Sequence, residues 1–254
     1  MVERNLLRDS VGGAELPWRP RAQEWDAGDY LSELSRSDLQ LANENLSALE
    51  DFLWFDLCAE HDSRHLHAYL QGLPIPYTDD FRAFERLWFR DEVNHEKGFR
   101  RLYQLVFPTD DSDLDAKLAQ RVPDFSPFKD FVQDELSLCV VFAYDELATC
   151  HAYRGDLPLY RRLNSELLPR WLQHIILDEA YHHRNALEIA VRHHGDRREE
   201  VARIIERCVE YDVGQPPYQG TFIFDHEWEG IGPEFFQNNG ARVMELFDRA
   251  FTCF

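Results

Sequence analysis

The chain has no apolar run long enough to cross a bilayer, and none between Met1 and Gly28 that would serve as a signal peptide. A cytoplasmic protein is therefore expected. Cysteine is sparse: Cys58, Cys139, Cys150, Cys208 and Cys253 form no Cys-x-x-Cys pair, which argues against zinc ribbons, rubredoxin-type iron sites and a disulfide framework. Cys139 and Cys150 fall in an apolar helical segment and read as small buried hydrophobes. Basic residues are in deficit, 27 against 47 acidic ones, for a formal net charge of -20. Such a surface repels nucleic-acid phosphates and acidic membrane faces. Sustained strand alternation is missing, as is any flavin or nicotinamide fingerprint.

What is present is helical periodicity over most of a 254-residue chain, a length that suits one large domain. After an irregular N-terminal arm (1–36) with Trp18, Pro20 and Trp25, the pattern predicts a helix from Ser37 to Gly72, ended by Gly72, Pro74 and Pro76. A second runs from Asp80 to Val106 and closes at Pro108. An acidic connection, Thr109 to Phe125, follows. Ser126 with Pro127 opens a third helix reaching Tyr153, where Gly155 and Pro158 stop it. The fourth covers Pro169 to His194 and completes a four-helix core at 37–194. Two further helices, Arg197 to Val213 and Pro233 to Phe251, flank a loop rich in Gly, Pro and aromatics that could close one end or cover a substrate channel.

One motif occurs twice. Asp91-Glu92-Val93-Asn94-His95 and Asp178-Glu179-Ala180-Tyr181-His182 both read Asp-Glu-x-x-His, on the second and fourth helices. A carboxylate and an imidazole three residues apart project from one helix face, so each helix offers a metal ion two ligands. Both pairs lie on apolar stripes: Phe84, Trp88, Glu92, His95, Phe99 on one, and Leu172, Ile175, Glu179, His182, Ala186 on the other. A buried carboxylate without a partner costs several kcal/mol, so its recurrence on core stripes calls for a cation. The third helix adds Glu146; Glu135 shares its face but lies about 16 Å away along the axis. The first adds Glu60, with Asp56 one turn earlier as competitor. The predicted metal ligands are thus Glu60, Glu92, His95, Glu146, Glu179 and His182. Asp178 would orient His95, and Asp91 His182, across the helix interface. The other histidines considered, including His65, His151, His174 and His183, are assigned to surface or outer positions. Trp88, Phe99 and Phe142 read as core, with a cavity wall as the alternative.

Through Glu60, Asp91 to His95, Glu146 and Asp178 to His182, the chain resembles the ferritin-like di-iron oxygenase and desaturase superfamily over roughly residues 40 to 215. The gaps of 54 residues from Glu92 to Glu146 and 33 from Glu146 to Glu179 are similar to those of soluble acyl-carrier-protein desaturases. Glu146-Leu147-Ala148-Thr149 resembles their Glu-x-x-Thr, which makes Thr149 a candidate proton relay; a hydroxyl bonded back to its own helix is the alternative. Asn94 to Phe99 is similar to the corresponding helix of aldehyde-deformylating oxygenases. Arylamine N-oxygenases carry an extra histidine where Ile175 stands here, and a radical-storing reductase subunit would have a tyrosine in place of Phe99.

The resemblance implies an all-α, ferritin-like four-helix bundle core with additional C-terminal helices. It implies two iron ions, with manganese as an alternative at one or both sites, and dioxygen as co-substrate. The expected reaction is hydroxylation, desaturation or another oxidation of a small-molecule or acyl-carrier-bound substrate, with an external electron donor such as ferredoxin. For a carrier, Arg154, Arg161, Arg162 and Arg170 would be the docking patch. Aldehyde deformylation or N-oxidation on the same cage is the first alternative, and a ferroxidase without organic substrate the second. A homodimer through a bundle face is plausible.

Overall fold

The computed structural model describes residues 18–226 and 231–253, and among them every regular element is helical. A short helix, α1 (Ala27–Tyr30), precedes the long α2 (Leu46–Gly72) and α3 (Asp79–Val106). The small α4 (Asp111–Leu118) leads to the long pair α5 (Glu135–Leu163) and α6 (Leu167–His194), then α7 (Arg198–Val213) and α8 (Pro233–Cys253). α2 packs on α3 and α5 on α6, while α3 against α6 joins the two pairs into the four-helix core; α7 and α8 cover α5 from outside. The predicted all-α bundle with extra C-terminal helices is the observed architecture.

Element boundaries follow the caps more than the apolar pattern. α2 starts at Leu46, not Ser37, because Ser35 and Asp38 close a reciprocal capping turn of their own. Asn45 then caps the helix, accepting from the N–H groups of Ser47 and Ala48 at 3.2 and 3.5 Å. Thr78 caps α3 through Phe81 N–H (3.2 Å), and Asp79 and Asp80 lie at the positive end of its dipole.

α5 departs furthest from expectation. Ser126 and Pro127 yield only a 3-10 turn at Phe128–Asp130, and the helix begins at Glu135 behind an Asp134/Ser137 capping box. It then runs through Gly155 and Pro158 to Leu163. An interior proline costs roughly 3 kcal/mol in helix propensity. Burial beyond it offsets that cost: Tyr160 and Leu163 are fully enclosed, and the Tyr160 hydroxyl donates to Asp56 at 2.6 Å. The acidic connection, read as irregular, contains α4, capped by Asp110.

The apolar interior falls into two parts. One gathers Phe81, Phe84, Trp88 and Phe142; the other Phe99, Leu102, Trp171 and Leu172. Trp88, Phe99 and Phe142 are thus core. Along each long helix the six predicted ligands fall between the two parts.

Candidate metal centre

All six predicted ligands converge, and none is more than 2% exposed. Two overlapping sets each offer ligand atoms within 4.8 Å of one another: Glu60, Glu92, His95 and Glu179 in one, Glu92, Glu146, Glu179 and His182 in the other. Glu92 and Glu179 are common to both. Their oxygens divide accordingly: Glu92 Oε2 is 3.3 Å from His95 Nδ1 and Oε1 is 3.1 Å from His182 Nδ1, while Glu179 Oε1 and Oε2 lie 3.3 and 3.0 Å from the same two nitrogens. Glu60 (3.4 Å from His95 Nδ1) and Glu146 (3.5 Å from His182 Nδ1) each serve one side. Asp56, the competitor to Glu60, is occupied by Tyr160. Glu135 accepts instead from Thr78 N–H (2.5 Å) and contacts His194 (3.2 Å) at the far end of α5.

The imidazoles are held from behind. His95 Nε2 lies 3.2 Å from Asp178 and His182 Nε2 lies 3.3 Å from Asp91, so each helix supplies the aspartate that orients the other's histidine. With Nε2–H donating outward, each Nδ1 is left facing the carboxylates, where a bound metal ion would take its lone pair in place of a proton. Asp178 also accepts from the Trp25 indole N–H (2.6 Å), and Asp91 from Arg90 (2.7 and 2.9 Å). Trp25 carries no periodic signal in the sequence and could not have been assigned there.

The donor set fits cations. Four carboxylates with two neutral imidazoles carry a formal charge that two divalent ions would cancel. In the protein alone, Glu60 Oε2, Glu92 Oε1, both Glu146 oxygens and Glu179 Oε1 are buried without a well-formed hydrogen bond, four of the five facing an imidazole Nδ1 at 3.1–3.5 Å, a pattern unusual for buried polar atoms. Burial pushes the Glu60 and Glu146 carboxyls well above their usual range, reinforced by Glu92 and Glu179 respectively. Burial opposes the imidazolium, yet the surrounding carboxylates hold His95 and His182 well above the ordinary histidine range. The site therefore attracts positive charge, and each set could hold a metal ion.

Beside Glu60 opens a cavity of about 460 Å³. Thr149 lines it, with its hydroxyl donating back to the Asp145 carbonyl at 3.2 Å. Tyr153, also on the wall, donates to Glu60 Oε1 and stacks on Phe99 with ring centroids 5.7 Å apart. Its stripe position after Glu146 and Thr149 was legible, but its partner was not. The loop after α7 lines the cavity, bringing Phe222, Asp225 and His226 to the wall. His226 lies 3.4 Å from Asp212 and 3.6 Å from Asp145. Burial works against its charge, but those two carboxylates raise its pKa to about 9. Asp145, which accepts from Phe224 N–H (2.9 Å), is pushed by burial up to about 7. No helix among the described residues is long and apolar enough to cross a membrane. Comparison with protein-family models, curated proteins and solved structures finds no match for this chain.

Proposed function

We propose that the protein is an oxygen-dependent oxidase or oxygenase built on a dinuclear centre, with two iron ions, or manganese at one or both positions, held by Glu60, Glu92, His95, Glu146, Glu179 and His182. The observation that carries this reading is the pair of overlapping ligand sets that share Glu92 and Glu179 and adjoin a cavity. When bound, the two ions would supply the redox equivalents and Lewis acidity for activating dioxygen. Asp91 and Asp178 fix the histidine tautomers. Glu60 belongs to both the ligand set and the cavity wall, so a substrate in the cavity lies against the metal centre. Tyr153 restrains the Glu60 carboxylate by its hydrogen bond. Thr149 offers a hydroxyl on the same wall, positioned to pass a proton if it releases the Asp145 carbonyl. An external donor such as ferredoxin would return the electrons. The cavity, with aromatic side chains in its wall beside Glu60, favours an organic substrate over a ferroxidase, which needs no such space beside its site.

The test is metal analysis of protein produced with ample iron or manganese, followed by oxygen uptake of the reduced protein with candidate substrates. About two ions per chain and substrate-stimulated uptake are expected. Fewer than one ion per chain, or uptake that no organic compound changes, would overturn the reading.

A further inference from the structure

The chemistry of the cavity beside Glu60 specifies more than an organic substrate. Its apolar wall is aromatic: Phe55, Phe222 and Phe235, with Tyr153 at the metal end. Its ionisable wall is acidic. Asp56, Glu60, Asp145, Asp156 and Asp225 line it, and no lysine or arginine does so among the described residues. Of the two imidazoles present, His226 is charged at neutral pH, its pKa raised to about 9, but Asp145 and Asp212 at 3.6 and 3.4 Å neutralise that charge. Burial, Arg154 and Arg242 hold His151 below its ordinary pKa.

The wall is built, not incidental. Phe222 and Phe224 have φ of 74° and 63°, a region in which bulky residues are strained by about 1–3 kcal/mol each. Two buried carboxylates hold the loop in that shape: Asp225 accepts from the N–H groups of Gln219, Thr221 and Phe222 at 2.5, 2.5 and 3.1 Å, and Asp145 from that of Phe224 at 2.9 Å. Trp88 backs Phe222 edge-to-face at 5.2 Å. The strained loop thereby commits an aromatic face and a carboxylate to the same cavity.

We propose that the cavity selects small substrates in which an apolar or aryl body carries a basic amine, protonated on entry, and rejects carboxylates and acidic carrier-bound acyl groups. Aromatic faces and carboxylates together attract an ammonium ion, whereas a substrate carboxylate would meet like charge at low dielectric. The same sign holds outside. The arginines suited to carrier docking are few, Arg162 is already paired with Glu44 (3.2 Å), and a chain of net charge -20 repels an acidic carrier. This inference rests on the proposed function only in calling the ligand a substrate; the binding preference stands without it.

Calorimetry on the full-length protein as purified, with its metal content measured on the same sample, tests the idea. The probes are arylalkylamines with one to four methylenes, each matched by the alcohol and the carboxylate of equal length. At least one amine should bind ten times more tightly than its alcohol, and no carboxylate should bind detectably. Asp156→Asn and, separately, the isosteric Asp145→Asn should each cut that preference several-fold without weakening alcohol binding, with folding checked by circular dichroism. A carboxylate binding as well as its amine, or no amine binding anywhere in the series, overturns the proposal. Amine preference without metal would sink only the dinuclear reading, and metal without amine preference only this one.

Discussion

Because Glu92 and Glu179 belong to both ligand sets while Glu60 and Glu146 belong to one each, glutamine substitutions should divide into two classes. At a hundredfold excess over its dissociation constant, one bound ion stabilises the fold by about 2.7 kcal/mol, and two by about 5. For a chain of this size each kcal/mol moves Tm by roughly 2–4 °C, so saturating ferrous or manganous ion should raise Tm by about 10–20 °C. Glu60→Gln or Glu146→Gln leaves the other set intact and should retain one ion and about half of that shift. Glu92→Gln or Glu179→Gln damages both sets and should abolish most of it. Misfolding is separable from lost binding by melting the metal-free Glu92→Gln protein beside the metal-free parent, since the substitution removes both a repulsion from Glu60 and an attraction to His95. Anaerobic calorimetry with metal analysis gives both quantities. Equal ion counts in Glu60→Gln and Glu92→Gln, or a parent Tm indifferent to metal, would refute the reasoning.

Three further outcomes are expected. Asp178→Asn and Asp91→Asn should each weaken metal binding by roughly 10–100-fold, because the ligating imidazoles lose their orienting carboxylates; competition with a chromogenic chelator measures it. The folded pKa of His226, near 9, exceeds an unfolded value near 6.5, so its ion pair stabilises fully below pH 6.5 and loses that contribution as pH rises through 9, by about 3 kcal/mol. Tm of the parent should therefore fall more steeply between pH 7 and 10 than that of His226→Gln, and parallel curves would count against the pair. Gly98→Ala would place a Cβ 2.7 Å from the Trp171 ring at the α3–α6 contact; overpacking of this kind should cost about 1–3 kcal/mol in urea unfolding.

The six converging side chains were legible because they are local and periodic: a doubled Asp-Glu-x-x-His and one phased glutamate on each of two other helices. The reciprocal Asp–His bonds also follow from that doubling. What escaped were features set by contacts distant in sequence. Helix α5 continues past Pro158 because Tyr160 finds Asp56 and Leu163 finds the core, and no window around the proline contains either partner. Trp25 reaches Asp178 across 153 positions of chain. The cavity wall depends on a loop with positive φ at two phenylalanines, a conformation that residue type alone argues against.

The crossed bonds from Asp91 to His182 and from Asp178 to His95 act on α3 and α6 as a double latch. Shifting one helix by a single turn, about 5.4 Å, would unseat both histidines at once and strand four buried polar groups. Sliding along that seam is thereby suppressed, whereas the cavity that Phe222 shares with residues of α2 and α5 carries no such latch.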